Sequence, residues 1–201
     1  MMHSRGAAIS SAYLYLLTVL LVSYGIYEVY HLEVNPEEFA VTHRQRIDAR
    51  PRVFFNFFVQ THILEKLFPS FSRLKEADSR VLGVGKFYRA FWKLPLLGET
   101  AKIHLMVTDY NPPKFLALES EDQLIRQRVE IRFHLYHDRI ILNVTIYSRR
   151  TSALFHYTVG RGLRHIFKNE LRRSASRVAG IHRALQKDII FFQSERCIKG
   201  P

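Results

Sequence analysis

The chain has 201 residues, of which 47% are hydrophobic and 24% charged, with a single cysteine and a formal net charge of +12. This balance excludes a mainly disordered chain, an intramolecular disulfide and a cysteine-built zinc cluster, and leaves one well-buried domain plus an appendage. The charge is uneven: residues 39–201 hold 29 Lys and Arg against 14 Asp and Glu, a field that draws anionic surfaces without choosing among nucleic acid, acidic protein and phospholipid.

The N-terminus begins to choose. Residues 7–27, AAISSAYLYLLTVLLVSYGIY, carry no formal charge. As a helix they would span about 30 Å, the thickness of a bilayer's hydrocarbon core. Tyr13 and Tyr15 sit near one end and Tyr24, Tyr27 and Tyr30 near the other, where aromatic rings favour the interface. Residues 1–30 are expected to be a membrane anchor or, with Ser23-Tyr24-Gly25 as a small-x-small cleavage site, a signal peptide. Arg5 ahead of the span and only acids after it put the N-terminus in the cytosol. The expectation is a single-pass protein of the endoplasmic reticulum or another endomembrane, with the mitochondrial inner membrane as the alternative. On that orientation the triplet NVT at 143–145 makes Asn143 a candidate glycosylation site.

An acidic linker, 31–38, leads to a domain over 39–190 and a tail over 191–201. Residues 39–48 read as a strand. Pro51 suits a first helical turn, and Phe54, Phe55, Phe57 and Phe58 give that helix a broad buried face. A second short helix, HILEKLF, is stopped by Pro69. SRLKEA, GKFYRAFWKL and AKIHLMVTDY then read as strands, the last two separated by the turn PLLGET. In AKIHLMVTDY, Ala101, Ile103, Leu105 and Val107 share one parity and Lys102, His104, Met106 and Thr108 the other.

VTDYNPPKFLALES places two prolines between two strands. Neither can donate a ladder hydrogen bond, so the pair reads as an antiparallel hairpin. Next, RVEIRFHLY alternates Val129, Ile131, Phe133 and Leu135 against Arg128, Glu130, Arg132 and His134. HDR turns the chain, and IILNVTIYS returns with Ile140, Leu142, Val144 and Ile146 on one parity. Such a sheet buries one face. From about residue 152 to 188 there is no proline, and Leu163, Ile166, Phe167, Leu171, Val178, Ile181 and Leu185 recur at helical spacing, which predicts a long helix covering that face.

This order (strand, two short helices, antiparallel strands, one long C-terminal helix), with FPSFSRLKEAD, VLGVGKFYRAF and VTDYNPPKFLALES, resembles the START-like or helix-grip superfamily of polyketide cyclases and coenzyme Q-binding proteins, over residues 39–188. The resemblance implies an α+β fold in which a curved sheet wraps the long helix around a cavity for a hydrophobic molecule. A cone-like domain of the nuclear-transport-factor type is the runner-up, but it would place its long helices before the sheet.

Catalytic signatures are missing from the reading. GVGK at 83–86 lacks the spacing of a phosphate loop, and its glycines suit a turn or bulge. The ten histidines include no HExxH; His134 and His137 flank a hairpin tip without identifiable co-ligands. No acid pair and no nucleophile elbow stand out, and no cofactor is expected. The final helix is basic: Arg161, Arg164, Lys168, Arg172, Arg173 and Arg177 are candidate contacts to an anionic surface, with Arg183 and Lys187 beyond them and Glu170 as the acid among them.

The expected function is binding, presentation or transfer of a lipid or isoprenoid by a membrane-anchored domain. Val129, Ile131, Phe133, Leu135, Leu142, Val144, Ile146, Leu163, Phe167 and Leu171 are the candidate cavity lining. A structural accessory subunit of a membrane complex would keep the fold and fill the cavity with side chains. A cyclase-type enzyme would need polar groups on inner parities that are almost wholly apolar. Nucleic acid is disfavoured by the tether and by the lack of a recognised module.

Overall fold

A computed structural model describes residues 4–68, 71–93, 100–123, 125–136 and 139–198. Pro69 and the expected turns PLLGET at 95–100 and HDR at 137–139, but for their last residues, lie outside the described residues. The first element is helix α1, Ser4–His31. Its stretch Tyr13–His31 is long and apolar enough to cross a membrane, and none of it is buried against the rest of the chain.

The domain follows. Strand β1, Val41–Ile47, leads through Asp48 to α2, Pro51–Phe58, and α3, Thr61–Leu67. Pro51 takes the first turn of α2, where its missing N–H costs nothing. Six strands come next: β2 (Phe71–Glu76), β3 (Phe87–Lys93), β4 (Thr100–Asn111), β5 (Phe115–Ser120), β6 (Gln127–Tyr136) and β7 (Arg139–Ser148). Their spatial order is β1-β7-β6-β5-β4-β3-β2, antiparallel throughout. The double proline does reverse the chain: β4 and β5 pair from Asn111 with Phe115, and Lys114 N donates to Asn111 O at 2.8 Å across the turn.

Two helices close the chain rather than one. Ala153–Tyr157 forms α4, the helix breaks at Thr158, and α5 runs Val159–Ile198. The expected boundary at 188 is therefore too early. The segment assigned to a tail from 191 continues as helix to Ile198, because its run of Ile189, Ile190, Phe191, Phe192 and Gln193 holds no breaker.

One face of the sheet meets α2, α3 and α5. Alternation in the strands works as the pleat requires: Val129, Ile131 and Phe133 of β6 and Ile140, Leu142, Val144 and Ile146 of β7 are buried in one core with Phe54, Phe55, Phe58, Leu163, Phe167 and Leu171. Leu135 is the exception in this parity. It is 66% exposed, since β6 runs on past Phe133 toward its hairpin end, beyond the aromatic cluster of α2.

Candidate functional site

The inner space between sheet and α5 is the first place to look for a ligand. Nine of the ten expected lining residues point into it; Leu135 does not. What they surround is other side chains. Helix α2 inserts Phe54, Phe55 and Phe58, whose rings lie 6.0, 5.3 and 5.4 Å from Phe133. Tyr110 of β4 reaches Phe55 at 6.0 Å. His182 of α5 sits edge-on to Phe54 at 5.0 Å and to Phe57 at 5.2 Å.

Two voids in this interior are small. One of about 10 Å³ lies among Leu67, Phe68, Phe71, Ile146, Phe167 and Leu171, and one of about 20 Å³ among Phe39, Ile146, Phe155, Leu163 and Phe167. Each holds about one water, whereas ligand sites run to roughly 300–1,000 Å³. Sequence periodicity could find the apolar walls but not this filling, because wall and filler are both apolar. Polar groups do stand in the packed region, Gln127 and Glu170 at the first void among them. The indole Nε1 of Trp92, on the inner face of β3, is buried and has no protein acceptor. His182 is nearly fully buried, and burial lowers its pKa.

The His182 shift has a signed consequence. A histidine held below its ordinary value of 6.5 stabilises the fold fully above that pH and loses the contribution as pH falls toward its folded value. Denaturation of the chain should therefore show falling stability from pH 7 to 5.5, and His182→Leu should flatten the slope. His43 of β1, whose pKa burial also lowers with Arg172 as a minor contributor, leaves a residual dependence. An unchanged slope in the variant would remove His182 as the cause.

A second cleft, of about 360 Å³, opens on the outer face of the sheet among Glu37, Arg128, Glu130, Tyr147 and Arg149. Its two arginines and Glu130 are engaged in ion pairs. Arg128 meets Asp109 at 2.9 Å, Glu130 at 2.9 Å and also Glu119, which Arg149 holds in turn. Burial works against the charges of Arg128 and Glu130, yet their partners outweigh it, raising the one and lowering the other. Tyr147 donates to Glu130 at 3.2 Å, and burial pushes its pKa to about 12. Among the described residues no three His, Cys, Asp or Glu side chains converge as metal ligands.

The junction between α1 and the domain is built, not slack. Val34 N donates to Thr151 O at 2.7 Å, Ala153 N to Leu32 O at 2.8 Å, and Ser152 Oγ to Tyr30 O at 3.1 Å. Just beyond, Asn35 caps a short 3-10 turn at Pro36–Phe39, its side chain accepting from Glu37 N. Phe39 then stacks on the buried ring of His156 at 4.4 Å, under the guanidinium of Arg164 at 4.8 Å.

That contact corrects one expected surface residue: Arg164 is turned inward, and its guanidinium also donates to His156 O at 3.3 Å. Arg161, Lys168, Arg172, Arg173 and Arg177 are exposed. Asn143 lies mid-strand in β7, paired with Arg44 and Arg132, half-buried and with Oδ1 lacking a partner. His134 is exposed, and His137 lies outside the described residues.

Comparisons with known proteins speak to the fold. No protein-family model matches the sequence, and no curated protein does. Solved structures do match. DR_A0006 from Deinococcus radiodurans aligns over 69% of this chain and 92% of its own, at TM-score 0.51 and 15% identity. TTHA0849 from Thermus thermophilus aligns over 71% and 98%, at 0.53 and 13%. The di-domain ARO/CYC StfQ of the steffimycin biosynthetic pathway aligns over 74% and 54%, at 0.52 and 12%. At such identities the likeness carries architecture alone, and with the strand order and the long final helix it establishes a helix-grip fold, of the kind found in polyketide cyclases, preceded by one apolar helix.

Proposed function

We propose that this protein is a membrane-tethered helix-grip module that acts through its surface, as an accessory subunit of a membrane assembly. The observation that carries the reading is the interior: the space that would hold a lipid is occupied by Phe54, Phe55, Phe58 and Phe133, with voids of only about 10 and 20 Å³ nearby. The exposed apolar helix α1 supports the tether, in an endomembrane by the charge asymmetry around it or in the mitochondrial inner membrane. Its three-bond junction with the domain suits a part that must be held in one orientation.

A second reading, a carrier of a lipid or isoprenoid, rests on Trp92. A buried indole N–H without an acceptor costs about 1–3 kcal/mol, and an oxygen of an entering ligand would satisfy it. The phenylalanines would then have to swing aside.

One preparation separates the two. The full chain should resist carbonate extraction from membranes, and the detergent-purified protein should yield stoichiometric partner chains and no bound lipid by native mass spectrometry. One lipid per chain, with a change in the emission of the single tryptophan on delipidation, would establish the carrier instead. Release by carbonate would remove the tether from both readings.

A further inference from the structure

Helix α5 sorts its cations by face. At 100° per residue, the cations Arg161, Lys168, Arg172 and Arg183, with His165 between the first two, fall within an arc of about 60° and extend over about 33 Å. All five are exposed. Arg173 and Arg177 lie about 110° and 150° round from the centre of that arc, also exposed. Glu170, the acid within residues 159–186, lies on the opposite side, half-buried beside Leu171 at the inner void. Within that arc residues 159–186 hold no acid, and the one apolar member between Arg172 and Arg183, Ala179, is buried beneath the cations.

The row begins at the tether. Arg161 follows eight residues after Ala153, whose N–H is bonded to the end of α1. The Phe39–His156–Arg164 stack holds the first turns of α5 against the same junction. A helix placed so, by an apolar helix that can cross a bilayer, has an anionic surface within reach wherever the lipids are acidic.

We propose that the row Arg161–Lys168–Arg172–Arg183 is a headgroup-binding face that lays α5 along the surface of an anionic bilayer. The inference rests on the tether of the preceding subsection and adds the partner of a face that the fold itself leaves open. Each cation near an acidic membrane raises surface residence about fivefold, so a row of three or four is decisive where a single one is not. The attraction acts within a Debye length and weakens with salt.

The test uses the full chain in nanodiscs, with Cys197→Ser and a reporter cysteine at Ser176, an exposed position at the edge of the row. A fluorophore there should be shielded from acrylamide in discs containing phosphatidylserine and open in discs of phosphatidylcholine alone. Shielding should vanish at high salt and in Arg161→Gln/Lys168→Gln/Arg172→Gln, whose surface-bound population falls about 100-fold. A reporter at Thr42, on the outer face of β1, should not distinguish the two lipids. Equal quenching in both discs would overturn the proposal while leaving the tether intact, because incorporation into the disc reports the tether separately. Shielding by added RNA in phosphatidylcholine discs, without any effect of phosphatidylserine, would also overturn it and assign the row to nucleic acid.

Discussion

Phe58→Ala is expected to lower the stability of the folded chain by about 3–5 kcal/mol, the usual cost of emptying a buried phenyl site that cannot collapse. Phe58 is fully buried and touches two other rings, Phe54 at 5.8 Å and Phe133 at 5.4 Å. Collapse is hindered because the sheet holds Phe133 on one side while α2 is anchored through Pro51 and the Phe54 N to Arg50 O bond on the other. The lost ring also removes the edge-to-face contact with Phe133, worth about 0.5–1.5 kcal/mol beyond area.

The variant also interrogates function. An apolar cavity of phenyl size stays dry and takes up small aromatic molecules. Added benzene should therefore raise the melting temperature of Phe58→Ala and leave the parent chain unmoved, which the filled interior demands. A loss under about 1 kcal/mol, or benzene stabilisation of the parent, would mean that the interior already has room, and the carrier reading would displace the accessory one. Thermal unfolding of the detergent-solubilised full chain measures both.

Why this interior was half legible follows from what periodicity measures. Alternation in RVEIRFHLY and IILNVTIYS assigned Val129, Ile131, Phe133, Leu142, Val144 and Ile146 to the buried face because a pleat leaves each residue two sides to choose from. It assigned Leu135 there too, since parity knows nothing of where the covering layer stops. The four phenylalanines of α2 were marked as a buried face, but against what they packed is a tertiary fact. So is the partner of Arg164: its spacing sets it on the side of buried Leu171 and His182, but only the fold brings Phe39, far away in sequence, under its guanidinium. Thr158 breaks the final helix without proline or glycine, so composition could not mark it; its Oγ1 bonds to Leu154 O at 2.5 Å instead.

Lys86 is the plainest case of a residue whose role only the structure gives. In GVGK it reads as the end of a glycine-marked turn, and Gly85 does take the left-handed conformation such a turn requires, with φ of 84°. The lysine beside it is 2% exposed. Its ammonium lies 2.7 Å from Glu76 Oε2 and 3.2 Å from Asp78 Oδ1, and donates to the carbonyls of Asp78 at 2.9 Å and Arg80 at 2.5 Å. It thus ties the whole β2–β3 connection to one point.

Lys86→Met keeps most of the stem volume and removes the charge with its three donors. The carbonyls of Asp78 and Arg80 lose their partner, while Glu76, half exposed, can rehydrate. The expected cost is about 2 kcal/mol, within the range for losing charge-assisted hydrogen bonds and orphaning two carbonyl acceptors. The pH dependence carries a second signature. Hydrogen bonding to Glu76 raises the Lys86 pKa, and Lys86 lowers that of Glu76. For Asp78, burial opposes but the bonds from Lys86 and Phe87 N outweigh it, again a lowering. The carboxylate contributions are complete above the ordinary values of 4.5 and 3.8 and are lost as pH falls through the depressed ones; that of the lysine is complete below 10.5 and is lost as pH rises through its raised value. Urea denaturation from pH 3 to 11 should accordingly show two falling limbs in the parent chain, and Lys86→Met should flatten both while lying lowest against the parent near neutrality. A variant as stable as its parent at pH 7 would show that the β2–β3 connection is held by its backbone bonds alone.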